Sequence, residues 1–138
     1  MALCLRPIFK ASALFLAVLA GTVAQGPPRR PLSLAMECPG GDCPLLKGAP
    51  QTAGMRSGFV RLKAGESVGW HSTGANEESL VILRGTGEAL VEAQPKLPFS
   101  APRVLYIPPF TRHNVFNSGR EVLEYVYVVA PAGGVSAR

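Results

Sequence analysis

The chain has little of what most functional surfaces are built from. Aromatics make up 7% of its 138 residues, with a single Trp, and charged residues make up 17%. Such a sparse charge content, beside 47% hydrophobic residues, excludes a disordered polyampholyte or an acidic tail. No Lys/Arg run occurs except Arg29-Arg30 in a Pro-rich stretch, so the formal net charge of +5 does not describe a nucleic-acid groove. No hydrophobic run reaches the roughly twenty residues of a membrane span. What the chain has instead is Gly 15 and Pro 13, which favour many turns over long helices.

The longest apolar run, Ala11 to Ala20, follows a segment carrying Arg6 and Lys10 and precedes the small residues Gly21-Thr22-Val23-Ala24. That order is the one of a secretory signal over 1–24, and it predicts a periplasmic or secreted protein with no stable membrane span after cleavage. An uncleaved anchor is the competing reading. Removing Arg6 and Lys10 leaves 12 basic against 9 acidic residues, a net +3. Cys4 leaves with the signal, so the mature chain keeps Cys38 and Cys43 in Cys-Pro-Gly-Gly-Asp-Cys. In an oxidising compartment an even pair around a tight turn predicts a disulfide; the spacing is not Cys-x-x-Cys, and no second pair exists to complete a zinc site.

Residues 25–57 read as a Pro/Gly-rich arm carrying the cysteine pair, and 132–138 as a flexible tail. Between them short β-rich runs alternate with turn residues: 59–63, 66–70, 79–83, 88–93, 104–107, 113–117 and 122–130. Seven short runs with no helical window predict an all-β, antiparallel sandwich or barrel. The last run is apolar on both faces, as a strand in a central position or at a subunit interface must be.

The two histidines, His71 and His113, each sit in such a run. Period-2 alternation puts His71 and Thr73 on one face, and His113, Val115 and Asn117 on one face. If both faces line a barrel, two imidazoles and a carboxylate converge. Two His with one carboxylate and open positions suit Fe(II), and also Mn, Zn, Ni or Cu.

Gly65, His71, Glu78 and Gly85 stand at the spacing of the first cupin motif (Gly, five residues, His-x-His, three or four residues, Glu, six residues, Gly). Pro108, His113 and Asn117 match the second. On these residues 58–131 resembles a small single-domain cupin, which implies an antiparallel double-sheet jelly-roll barrel preceded by the irregular arm. The resemblance implies a divalent transition metal held by His71, Glu78 and His113. Thr73 stands where the motif has its second His, Pro102 where the second motif opens with Gly, and Phe110 where it has Gly after Pro108. Thr73 is a weak candidate for the open ligand position; Glu77 is second choice because it points the opposite way along a strand; Asn117 is a pocket candidate. Trp70 precedes His71 and so faces away from it; Arg84 shares the parity of Glu78 and reads first as a solvated strand-end residue, with a cation for an anionic substrate as the alternative.

Relatives of this type are often dimers, so a homodimer is expected. The expected activity is oxygenase- or isomerase-type chemistry on a small organic molecule. The alternative is a non-enzymatic module that holds a small ligand or sugar beside a degenerate metal site. A fold that hosts many activities does not choose between them.

Overall fold

A computed structural model describes residues 30–133, which contain eight strands and no helix. The signal at 1–24 and most of the C-terminal tail lie outside the described residues. The strands are β1 (Cys43–Lys47), β2 (Arg56–Leu62), β3 (Asn76–Arg84), β4 (Thr86–Val91), β5 (Leu97–Ser100), β6 (Arg103–Ile107), β7 (His113–Phe116) and β8 (Leu123–Pro131). They pair antiparallel in a five-stranded sheet, β1-β2-β8-β3-β6, and a three-stranded sheet, β5-β4-β7. This is the expected jelly roll.

Alternation decides which side of each strand is buried. On β3 it buries Glu78, Leu80 and Ile82, and on β8 it buries Leu123, Tyr125 and Val129. Val60 and Leu62 of β2, Ala89 of β4, Phe99 of β5 and Val115 of β7 complete one continuous core between the sheets. Each fully buried Leu, Ile or Val contributes about 2 kcal/mol relative to exposure. Register then stacks the inner face of the large sheet in rows. Arg56, Val129, Glu78 and Ile107 form one row; Gly58, Tyr127, Leu80 and Leu105 the next; Val60, Tyr125 and Ile82 the third. The first row is the end of the barrel where the candidate site forms.

β8 lies between β2 and β3, and this central place accounts for its two apolar faces: Val126 and Val128 on the outer face are half-buried within the single chain.

Three departures from the expected elements have physical reasons. Cys43–Lys47, expected within an irregular arm, is an edge strand on β2, and Asp42 Oδ1 accepts the Arg61 N–H at 2.7 Å beside it. Cys38 and Cys43 form the expected disulfide across the preceding turn, with Cα atoms 5.5 Å apart. β5 contains Pro98, tolerated because β5 is the free edge of the small sheet. Finally, 66–70 is not a strand. Gly65 (φ 79°) and Gly69 (φ 86°) break its pleat, although the segment follows β7 through Gly65 N to Asn117 O (3.0 Å), Asn117 N to Glu66 O (2.9 Å) and Val68 N to Val115 O (3.2 Å).

Candidate metal centre

The irregular run along β7 ends where the chemistry begins. His71 and His113 form an isolated antiparallel bridge and exchange both backbone hydrogen bonds at 2.9 Å. Residues opposite each other in such a pair carry their side chains to the same side. The two rings accordingly lie with centroids 4.4 Å apart and planes tilted by 57°. Glu78 reaches them from the facing sheet, where it pairs with Ile107 and Val129. One ligand atom from each of His71, Glu78 and His113 lies within 4.8 Å of the others. The structure thus brings together the three residues singled out from the sequence.

Hydrogen bonds fix the ring chemistry. His71 Nδ1 is 2.9 Å from Gly69 O, and His113 Nδ1 is 3.0 Å from Thr111 O. A carbonyl only accepts, so each Nδ1 carries the proton and each Nε2 presents a lone pair. A backbone carbonyl holding the distal nitrogen is the usual support for a metal-binding imidazole.

His113 is fully buried and Glu78 is 5% exposed, yet His113 Nε2 and Glu78 Oε2 face one another at 3.2 Å without making an aligned hydrogen bond. With the proton on Nδ1 these are two acceptors pointed at each other, an arrangement that needs a cation between them. In the metal-free chain a proton can take that place. Burial by itself lowers the His113 pKa, but the Glu78 carboxylate and the Thr111 carbonyl beside the ring outweigh it and hold the imidazole above its ordinary value. A divalent ion satisfies the same two buried atoms and adds the exposed His71, so the donor set fits a metal.

Of the other candidate residues, Thr73 lines the cleft beside His71 and the rest lie elsewhere. Thr73 is not on a strand. It closes a turn in which its hydroxyl donates to Asn76 O at 2.9 Å, so that hydroxyl is engaged away from the imidazoles. Glu77 is on the outer face, where its carboxylate accepts the Tyr106 hydroxyl at 3.2 Å. Asn117 is fully buried and structural: its amide donates to Leu62 O (2.9 Å) and Glu121 O (2.8 Å) and accepts from Gly119 N (2.9 Å). Arg84 is at the opposite end of β3 beside Glu121, 3.9 Å away with both side chains in solvent. Trp70 is exposed, with the Arg112 guanidinium 5.4 Å above its ring.

Beside His71 opens a cleft of about 290 Å³, lined by Arg56, His71, Ser72, Thr73, Tyr127 and Val129. Sequence reasoning missed Arg56 and Tyr127 here. The signal that finds them is the inner parity of β2 and β8, which needs β2 to start at Arg56 rather than Phe59. Among the described residues no helix is long and apolar enough to cross a membrane.

A family model of the cupin domain matches residues 58–129. Among solved structures, the cupin domain of Schizosaccharomyces pombe Cnp3 is 24% identical with a TM-score of 0.59, covering 65% of this chain and 63% of its own. A predicted oxalate decarboxylase from Thermotoga maritima is 26% identical (TM-score 0.52, covering 55% and 65%). A cupin protein from Bacteroides fragilis is 21% identical (TM-score 0.60, covering 82% and 92%). The chain therefore spans less than two thirds of the first two relatives. No curated protein matches it. With the family match over more than half its length and the same barrel in these structures, this chain belongs to the cupin domain family.

Proposed function

We propose that the protein is an exported cupin that holds one divalent transition metal on His71, Glu78 and His113. On this reading it acts on a small organic molecule in the adjoining cleft, by oxygenase- or isomerase-type chemistry. The observation that carries the reading is the pair of buried acceptors, Glu78 Oε2 and His113 Nε2, aimed at one point with both Nδ1 protons tied to carbonyls. A divalent ion bound there supplies Lewis acidity toward a substrate oxygen, and Fe or Cu would add redox capacity.

The protein's own residues do the rest. Gly69 O and Thr111 O orient the imidazoles, and the burial of His113 and Glu78 keeps water off the inner side. His71 is exposed, and Thr73 supplies no ring, so the centre is open toward the cleft. A substrate approaches from that side.

Elemental analysis of protein purified without chelators or a His-rich tag tests the metal. Near one equivalent in the parent, lost in both His71→Ala and Glu78→Ala, is the expected result. No metal after reconstitution with Fe(II), Mn(II), Zn(II) and Ni(II) sinks the reading and favours the non-enzymatic ligand-binding module. Export rests on the signal-like order of 1–24 and is tested by N-terminal sequencing of protein recovered outside the cytoplasm.

A further inference from the structure

We infer that the cleft beside the metal centre takes a small organic acid, and that Arg56 is the residue that receives its carboxylate. The inference rests on the metal-centre reading and adds the substrate class. It starts from register. Arg56 pairs with Val129, and Val129 pairs with Glu78, so the three stand in one row across β2, β8 and β3. Val60 and Leu62, at the same parity of β2, are in the core, which places Arg56 on the inner face as well. With adjacent strands about 4.8 Å apart, the Arg56 and Glu78 backbones are separated by roughly 10 Å, a span one short acid can bridge.

The Arg56 stem has a track. Gly48, opposite it in the β1–β2 turn, has no side chain, and a Cβ there would sit 3.2 Å from Arg56 Cγ. Arg61, Arg84 and Arg112 each lie beside a glutamate, whereas Arg56 has no acidic partner among the described residues. The remaining cleft-lining groups are neutral or histidine: His71, Ser72, Thr73, Tyr127 and Val129. Ser72 Oγ accepts from Gly74 N at 3.2 Å and keeps its own proton to donate. An unpaired guanidinium therefore shares a cleft with the exposed metal-centre imidazole.

Charge and shape select a carboxylate over a phosphate. One guanidinium with neutral hydroxyls matches one unit of negative charge, and its planar fork binds the two carboxylate oxygens side by side. In the metal-free cleft a phosphate dianion would remain half-compensated, with the Glu78 carboxylate in the same row opposing it. The acid's carboxylate sits on Arg56, and its other end faces His71.

Calorimetric titration tests this with acetate, succinate and benzoate, their amides, and inorganic phosphate. Wild type, Arg56→Gln and Arg56→Lys are each titrated Zn(II)-loaded and metal-free, with melting temperatures recorded as a check on folding. The expected result is Zn(II) affinity equal within about twofold in all three, because Arg56 is not a ligand. At least one of the acids binds wild type, binds Arg56→Gln about tenfold more weakly or worse, and binds Arg56→Lys in between, while its amide does not bind. An acid that binds Arg56→Gln as well as wild type, an amide that binds equally well, phosphate that binds more tightly than every acid, or no acid binding at all overturns the inference. If wild type retains no Zn(II), it is loaded with Fe(II), Mn(II) and Ni(II) in its place, and retention of none of them makes the metal reading fail by itself. The metal-free titrations then decide: Arg56-dependent acid binding upholds the carboxylate site, and its absence overturns it.

Discussion

His71 and His113 exchange both backbone hydrogen bonds at 2.9 Å, so the two imidazoles sit side by side although 41 intervening residues separate them along the chain. They are not equivalent. His71 is exposed at the cleft, while His113 is fully buried against Glu78. Replacing either by Ala should weaken metal binding by roughly 100-fold or more, since a lost ligand exceeds the loss of a supporting contact. Stability should separate them. His113→Ala leaves a cavity and a buried, unpaired Glu78, and should destabilise the metal-free protein by about 3 kcal/mol. His71→Ala should stay within about 0.5 kcal/mol, as exposed substitutions do. Urea denaturation of chelator-treated protein measures both; equal losses would contradict the asymmetry.

The same pair sets a pH dependence. Glu78 and Thr111 hold the folded His113 pKa above its ordinary value of 6.5, despite the opposing effect of burial. A group whose pKa is raised by folding stabilises below its unfolded value, and that contribution is lost as pH rises through the folded value. The metal-free protein should therefore melt highest near pH 6 and lower above about pH 7, and His113→Ala should flatten that slope. Metal-loaded protein should show the reverse trend over this range, because the proton and the ion compete for Nε2. Melting temperatures from about pH 5.5 to 8.5, with and without chelator, check both directions.

The site was more legible in the sequence than its surroundings. Gly65, His71, Glu78 and Gly85 keep the motif's spacing, and both glycines adopt positive φ in turns outside the strands. Side-chain parity placed Glu78 inward and Glu77 outward correctly, since 76–84 is a regular strand. It misplaced Thr73 because 72–73 is irregular and leads into the turn at 74–75, where alternation has no meaning. Glu66–Trp70 read as a strand for its composition, although Gly65 and Gly69 interrupt it. Cys43–Lys47 and Leu97–Ser100 escaped notice for the opposite reason: each is short, contains Pro and gains its hydrogen bonds from a neighbouring strand rather than from its own pattern. Arg56 was overlooked because its strand begins three residues before its apolar run does.

Asn117 tests the line between motif and ligand. Its side chain ties Leu62 O, Glu121 O and Gly119 N together in the core and makes no approach to the imidazoles. Asn117→Ala would leave those carbonyls without their donor and should cost about 3 kcal/mol. Metal stoichiometry, measured well below the melting transition, should stay at the parent value. Loss of metal from a folded Asn117→Ala protein would place this residue in the site after all.

The two motif glycines should respond differently to the same substitution. Gly65 has φ 79°, and nothing lies within 4 Å of where a Cβ would sit, so Gly65→Ala meets only the backbone preference. That preference is worth about 1 kcal/mol. Gly85 has φ 88°, and a Cβ there would lie 2.7 Å from Val122 O and 3.0 Å from Leu123 Cα. Both are backbone atoms at the start of the central strand β8, and neither can rotate out of the way. Gly85→Ala should therefore cost the same conformational term plus overpacking, about 3 kcal/mol in all. Denaturation midpoints of the two variants measure the difference directly; equal midpoints would mean that the β3–β4 turn can move off β8, and that its contact with Leu123 does not fix the packing of the barrel.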